Sequence, residues 1–194
     1  MSQHNSIPTV DDGTDTHAHL VRENEKLRKR VVELEHLAST DTLTPLYNRR
    51  HFMEELDRWC WRAHRYCGSY GLLFCDIDRF KGINDIQGHA IGDEVLVGVA
   101  SELTKAVRKS DVVARIGGDE FTVLLDSISA DRLEVKTAAM RTLLTDLRIK
   151  TSGPALSVSV SVGSALIASG TKSGEVLEQA DRAMYLHKRS KYPA

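Results

Sequence analysis

A chain of 194 residues with 41% apolar side chains has room for one well-packed domain and an appendage, but not for two large domains. Its 26 basic residues nearly cancel 27 acidic ones, so no overall field points to a nucleic acid or a membrane surface, and an anionic ligand has to be held by local chemistry. Three irregularly spaced cysteines, Cys60, Cys67 and Cys75, exclude a disulfide framework and a four-ligand zinc site; without a secretory leader or an 18-residue apolar run, the expectation is a soluble cytoplasmic protein.

Residues 1–16 mix Ser, Thr, Asp, Gly and Pro without periodicity and are expected to form a disordered tail. Over 17–39, Leu20, Leu27 and Leu34 recur every seven residues, with Asn24, Val31 and Ala38 at the alternate seam positions. That spacing predicts a parallel two-stranded coiled coil, a dimerisation and signalling helix whose register is set by Asn24. Glu23 and Arg30 then fall at g, and Arg28 and Glu35 at the following e, so each facing pair in the dimer is opposite in sign. The alternative is an amphipathic helix packed on its own domain. A basic-region zipper is excluded, because the residues before the heptads are acidic.

The compact domain is predicted over 40–194. After "STDTLTPLYNRR", residues 48–64 regain helical spacing through Phe52, Leu56 and Trp59, which leaves Trp61 toward a surface. Next come a buried strand "YGLLFCDID", a helix "AIGDEVLVGVASELTKAVR", and strands "DVVARI" and "EFTVLLD" joined at Gly117 and Gly118. A helix over 131–147, one alternating strand "ALSVSVSVGSAL" and a last helix over 173–189 complete the chain. The order predicts an α+β fold with helices over a largely antiparallel sheet.

Carboxylates interrupt two of these apolar runs. Gly117 and Gly118 are free to take positive φ and bare their amides to a phosphate, whereas Asp119 and Glu120 repel that phosphate unless a divalent cation stands between them. A tight hairpin with its acids in water explains the same residues. Asp76 and Asp78 end a buried strand on one face of the pleat, an arrangement that a hard cation offsets. Lys81 is placed to meet phosphate oxygens, while Asn84 and Asp93 offer the groups that read a purine edge. The plainer roles are a helix cap for Asp78 and a turn for Asn84. The eight histidines suggest no site.

Together "DTLTPLYNRR", "DIDRFKGINDIQGHAIGD" and "RIGGDEF" resemble the GGDEF family of diguanylate cyclases over about 40–191. The resemblance implies a nucleotide-cyclase-like fold, related to ferredoxin-like sheets, and the condensation of two GTP into cyclic di-GMP and two pyrophosphates by a homodimer. It implies Mg²⁺, with Mn²⁺ as the alternative, held by Asp76, the backbone carbonyl of Ile77 and Asp119. Glu120 falls at the position associated with metal binding or 3′-hydroxyl activation. Asn84 and Asp93 match the guanine-reading pair, Lys81 and Lys188 the phosphate contacts, and Gly117 and Gly118 the substrate-facing turn. Arg108 and Asp111 of "RKSD" resemble the RxxD site through which the product inhibits, with Arg141 a candidate third member. Departures fall at the C-terminus: His187 replaces an alanine, and Tyr192 stands where an arginine is expected, with Lys191 or Arg189 as candidates to replace its charge. Pro45 stands where glycine is common. The alternatives are a non-catalytic receptor for GTP or cyclic di-GMP, and a coiled-coil interaction module with an inert globular part.

Overall fold

The computed structural model describes residues 13–192 and divides the chain into two compact units, one ending at Ala38 and the other beginning at Ser39. Helix α1 (Gly13–Ser39) carries the heptads. Leu20, Leu27 and Val31 on its seam are 60%, 56% and 52% exposed, so among the described residues this apolar stripe is left open. The side chains of Leu34 and Glu35, and the first twelve residues of the predicted tail, lie outside the described residues. Among the described residues, no helix is long and apolar enough to cross a membrane.

In the second unit, β1 (Tyr47–Asn48) leads into α2 (Arg49–Tyr66), whose first turn is capped by Asn48 Oδ1 accepting from His51 N at 3.0 Å. Then follow β2 (Tyr70–Ile77), α3 (Phe80–Gln87), α4 (His89–Lys105), β3 (Val112–Arg115), β4 (Glu120–Leu125) and α5 (Ala130–Leu143). The chain ends with β5 (Leu147–Ile149), β6 (Leu156–Val158), β7 (Val160–Ile167) and α6 (Ser173–Lys191). A five-stranded sheet is ordered β1-β3-β4-β2-β7, antiparallel throughout except for β1 beside β3.

Both faces of the sheet are covered, which is why β2 reads as an unbroken apolar run rather than an alternation. Leu73, Cys75 and Ile77 point toward α4 and α5 and pack with Val95, Val99 and Met140. Tyr70, Leu72 and Phe74 point the other way, onto Phe52, Leu56 and Trp59 of α2 and Val176, Ala180 and Met184 of α6. Trp61 is 57% exposed, as its helical offset from Trp59 predicts.

Two expectations change. The segment predicted as one alternating strand is two: β6 pairs with β5 in a separate hairpin, and β7 pairs with β2 along its full length. At the break, Ser159 turns its carbonyl to Asp78 N at 2.8 Å. Gly163 lets α6 lie directly on β7, since an added Cβ there would run into the α6 backbone at Ala180, Ala183 and Met184. The second change is α3, a short helix set off from α4 by Gly88 at φ 84°, a left-handed value that glycine takes at little cost.

Candidate active site

The middle of the sheet brings the acids together. In the β2–β4 register Asp76 faces Glu120 directly, and Asp119 O accepts from Ile77 N at 3.2 Å. Cross-strand partners lie on one face, about 5 Å apart at Cβ, so two carboxylates are stacked over the end of the central strand pair. The face is that of α2 and α6. From α6, Lys188 Nζ donates to Asp76 Oδ1 at 2.5 Å.

One ammonium does not balance this cluster. Burial lifts the Asp76 carboxyl above its ordinary range; Lys188 pulls it back, and Asp119 and Asp78 push it further up. Burial likewise raises Glu120, with Asp119, Asp76 and Asp181 adding repulsion against the relief from Arg49. For Lys188, burial acts to depress the ammonium, but the hydrogen bond and charge of Asp76, with Asp78 and Asp119, carry it above the usual range. Asp181 and Arg49 were not among the sequence candidates. Asp181 lies seven residues before Lys188 on the same stripe of α6, a helical spacing that would have exposed it.

Neither Gly117 nor Gly118 takes the left-handed backbone expected of them; among the described residues the positive-φ glycines are Gly88 and Gly170. Their amides are not both bare either, since Ile116 N and Gly117 N donate to Glu120 O at 3.0 and 3.4 Å and close the hairpin. Gly117 supplies space instead. A Cβ there would fall on the Glu120 carboxylate, 3.0 Å from its carboxyl carbon, while one on Gly118 would meet nothing.

Asp78 differs from Asp76. Its side chain is 1% exposed and accepts from Ser161 Oγ at 2.6 Å and Lys191 Nζ at 3.0 Å; Lys191 also donates to Ser159 Oγ and Val160 O, both at 2.9 Å. The pair ties α6 to the sheet. Asp78 is therefore no helix cap, and Lys191 is not the loose charge that would replace a missing arginine. His187 is neutral: it accepts from Val162 N through Nδ1 at 3.0 Å, and burial, with Lys191 and Arg141 nearby, pushes it down to about 4.

On the other side of the sheet end, Asn84 Oδ1 is buried without a hydrogen-bond partner among the described residues. It packs against Gly92, where a Cβ would overlap it, beside the exposed Asp93. A buried amide oxygen left without a partner has a strong drive to accept from a ligand donor. Lys81 is exposed on α3.

Among the described residues no three acidic, histidine or cysteine side chains converge tightly enough to chelate an ion alone. The set nevertheless fits a Mg²⁺-type ion, which takes one or two carboxylates and completes its shell with water and substrate phosphates. Asp76, Asp119 and Glu120 would supply those carboxylates, and the burial and mutual repulsion that raise the proton affinity of Asp76 and Glu120 are a cost that a dication would relieve.

Arg108 and Asp111 lie on a cavity of about 410 Å³, with Asp126, Arg132 and Lys136. Asp111 bridges Arg108 N at 2.9 Å and Asp126 N at 3.0 Å. The neighbouring-helix arginine on this cavity is Arg132; Arg141 is turned inward, donating from Nε to Val162 O at 2.9 Å.

The family described as Diguanylate cyclase, GGDEF domain, matches residues 38–192. Diguanylate cyclase TpbB of Pseudomonas aeruginosa is 39% identical over 167 residues, 84% of this chain and 38% of that protein. Diguanylate cyclase DgcP of the same species is 40% identical over 154 residues, 79% of this chain and 23% of that protein. The chain thus spans well under half the length of these curated relatives. The solved coiled coil and GGDEF domain of DgcB from Caulobacter crescentus, in complex with c-di-GMP, aligns with a TM-score of 0.82 and 32% identity over 91% of this chain and 94% of that one. Diguanylate cyclase SiaD of P. aeruginosa, in complex with its activator SiaC, aligns at 0.77 and 32% identity over 91% of this chain and 68% of that one.

Proposed function

The chain belongs to the GGDEF diguanylate cyclase family, and from that premise we propose that it joins two GTP molecules into cyclic di-GMP with release of two pyrophosphates, at the interface of two facing copies. The observation that carries this reading is the Asp76–Glu120 cross-strand pair with Asp119 beside it, an acid cluster that one lysine leaves undercompensated.

In this reading Asp76, the Ile77 carbonyl, Asp119 and Glu120 hold a divalent cation, Mg²⁺ or Mn²⁺. When bound, such an ion neutralises triphosphate charge and favours the deprotonated 3′-hydroxyl. Asn84 turns its unpartnered Oδ1 to the guanine edge together with Asp93, and Lys81 and Lys188 contact phosphate. Gly117 keeps Glu120 beside the reacting atoms, with the open face of Gly118 toward the substrate. The 3′-oxygen of one GTP attacks the α-phosphorus of the other; the bond to the β-phosphate oxygen breaks and pyrophosphate leaves with its electron pair. The hydroxyl proton departs to solvent or to Glu120. The step repeats with the roles exchanged, so each half-site both donates a hydroxyl and presents an α-phosphate.

Two bonds between two nucleotides require two facing sites, and α1 provides the pairing. Its uncovered Leu20–Leu27–Val31 stripe fits a parallel coiled coil with a second copy, which raises the local concentration of one domain at the other to about millimolar. The Arg108–Asp111 cavity fits the product: a guanidinium fork pairs with guanine O6 and N7, and a carboxylate with N1 and N2, giving feedback inhibition. GTP supply places the domain in the cytoplasm.

Incubation with GTP and Mg²⁺ followed by chromatography should yield cyclic di-GMP and pyrophosphate from the wild type and none from Glu120→Gln. Nucleotide binding without product in the wild type would favour a receptor for GTP or cyclic di-GMP, and no nucleotide binding at all would leave an interaction module.

A further inference from the structure

The cations around the acid cluster are unequally engaged. Lys188 is matched by Asp76, and Lys191 is buried on Asp78, Ser159 and Val160 O. Arg79 is different. Its guanidinium has no hydrogen-bond or ion-pair partner among the described residues; it lies over the ring of Tyr192, 4.3 Å from guanidinium carbon to ring centroid. The backbone of Arg79 is left-handed, φ 56° and ψ 29°, a conformation a non-glycine residue keeps only where its surroundings hold it. Arg79 and Tyr192 wall a cavity of about 520 Å³ that reaches Asp78, Gly82 and Ser159.

Position follows from α6. Lys188 touches Asp76, and Tyr192 comes four residues later, about 6 Å further along the helix axis. Arg79 itself is three residues beyond Asp76, so its Cα lies within about 11 Å of that of Asp76. The guanidinium therefore stands roughly one helical turn past the Lys188–Asp76 pair, at the end of α6 away from Asp181. Stacking leaves its in-plane N–H groups free for a forked contact to phosphate, and the ring removes rotamer freedom that binding would otherwise have to remove.

We propose that Arg79 binds the terminal phosphate of the nucleoside triphosphate and that Tyr192 is the positioning residue that holds it there. The charge that the family resemblance implies at 192 is thus delivered from 79. This rests on the reading of the acid cluster as a GTP site, and the test separates the two.

Wild-type protein and variants would be titrated with 3′-deoxy-GTP, which lacks the attacking hydroxyl, and with 3′-deoxy-GMP, both with Mg²⁺. Arg79→Ala should weaken the triphosphate about tenfold, the size of one lost charge-assisted hydrogen bond, and leave the monophosphate within about twofold. Tyr192→Phe should keep the parent affinity, whereas Tyr192→Ala should lose roughly threefold on the triphosphate alone. Because Tyr192 already reaches the guanidinium, Arg79→Ala with Tyr192→Arg should regain triphosphate binding. Unchanged triphosphate affinity in Arg79→Ala, or an equal loss for both nucleotides, overturns the proposal while the GTP reading stands. A wild type that binds neither nucleotide overturns that reading and the proposal with it.

Discussion

Removing the Asp41 carboxylate should loosen the hairpin loop from a distance. Asp41 Oδ1 accepts from Leu43 N at 3.2 Å, Thr44 N at 2.8 Å and Thr44 Oγ1 at 2.8 Å, and Arg115 Nη1 lies 3.1 Å from it. Arg115 turns its other donors on Gly118 O, from Nε at 3.2 Å and Nη2 at 2.8 Å. The side chains are 17% and 14% exposed, so the pair is well shielded from water. Three bonds from neutral donors to the carboxylate, which water partly replaces, and one ion pair together give about 3 kcal/mol for Asp41→Ala. At roughly 2–4 °C per kcal/mol in a domain of this size, Tm falls by about 6–12 °C. Asp41→Asn keeps the turn acceptor and loses the ion pair, so it should cost about 1 kcal/mol. Urea denaturation of the single and double variants with Arg115→Ala should give a coupling of about 1 kcal/mol. Burial alone would raise the Asp41 carboxyl, but the hydrogen bonds from Thr44 and Arg115 outweigh it and hold the group low. Its contribution is therefore full above the unfolded value near 4 and lost as pH falls through the lower folded value, so wild type and Asp41→Asn should converge below about pH 4. Equal costs for Asn and Ala, or no coupling to Arg115, would refute the ion pair as the link to the loop.

Gly117→Ala should displace Glu120 and cut cyclase turnover at least tenfold while Tm moves little, since the clash is with a side-chain carboxylate and not with backbone. Glu120→Gln should be more stable than wild type at pH 7. A carboxyl whose folded value is raised contributes its stability below the unfolded value and loses it as pH rises through the folded one, so the gap should close near pH 4 and shrink when Mg²⁺ is added. Leu20→Glu with Leu27→Glu should give monomers by sedimentation, with product formation reduced and the unfolding midpoint of the globular unit unchanged. Arg108→Ala should raise the cyclic di-GMP concentration needed for half-inhibition by about tenfold or more without altering initial rates.

The order of the elements around the acids could be read from the chain, because a strand buried on both faces is an unbroken apolar run and any carboxylate in it stands out. Asp76 and Glu120 interrupt such runs, but their meeting depends on the pairing and register of β2 with β4, which the residue pattern alone does not fix. Local pattern could not show that "ALSVSVSVGSAL" changes partner at Ser159, since period-two alternation is the same whichever strand lies alongside. Nor could it show that Gly117 is needed for room rather than for backbone freedom, which depends on where the Glu120 side chain folds back. Asp78 and Lys191 are 113 positions apart, and only the seating of α6 on β7, permitted by Gly163, makes one the partner of the other. The same seating sets Tyr192 under Arg79, and the rotation of α5 turns Arg132 rather than Arg141 to the Arg108 cavity. Residue type and spacing determine which groups are available, but the long-range packing of helices against the sheet decides which of them share a cavity and which neutralise each other in the core.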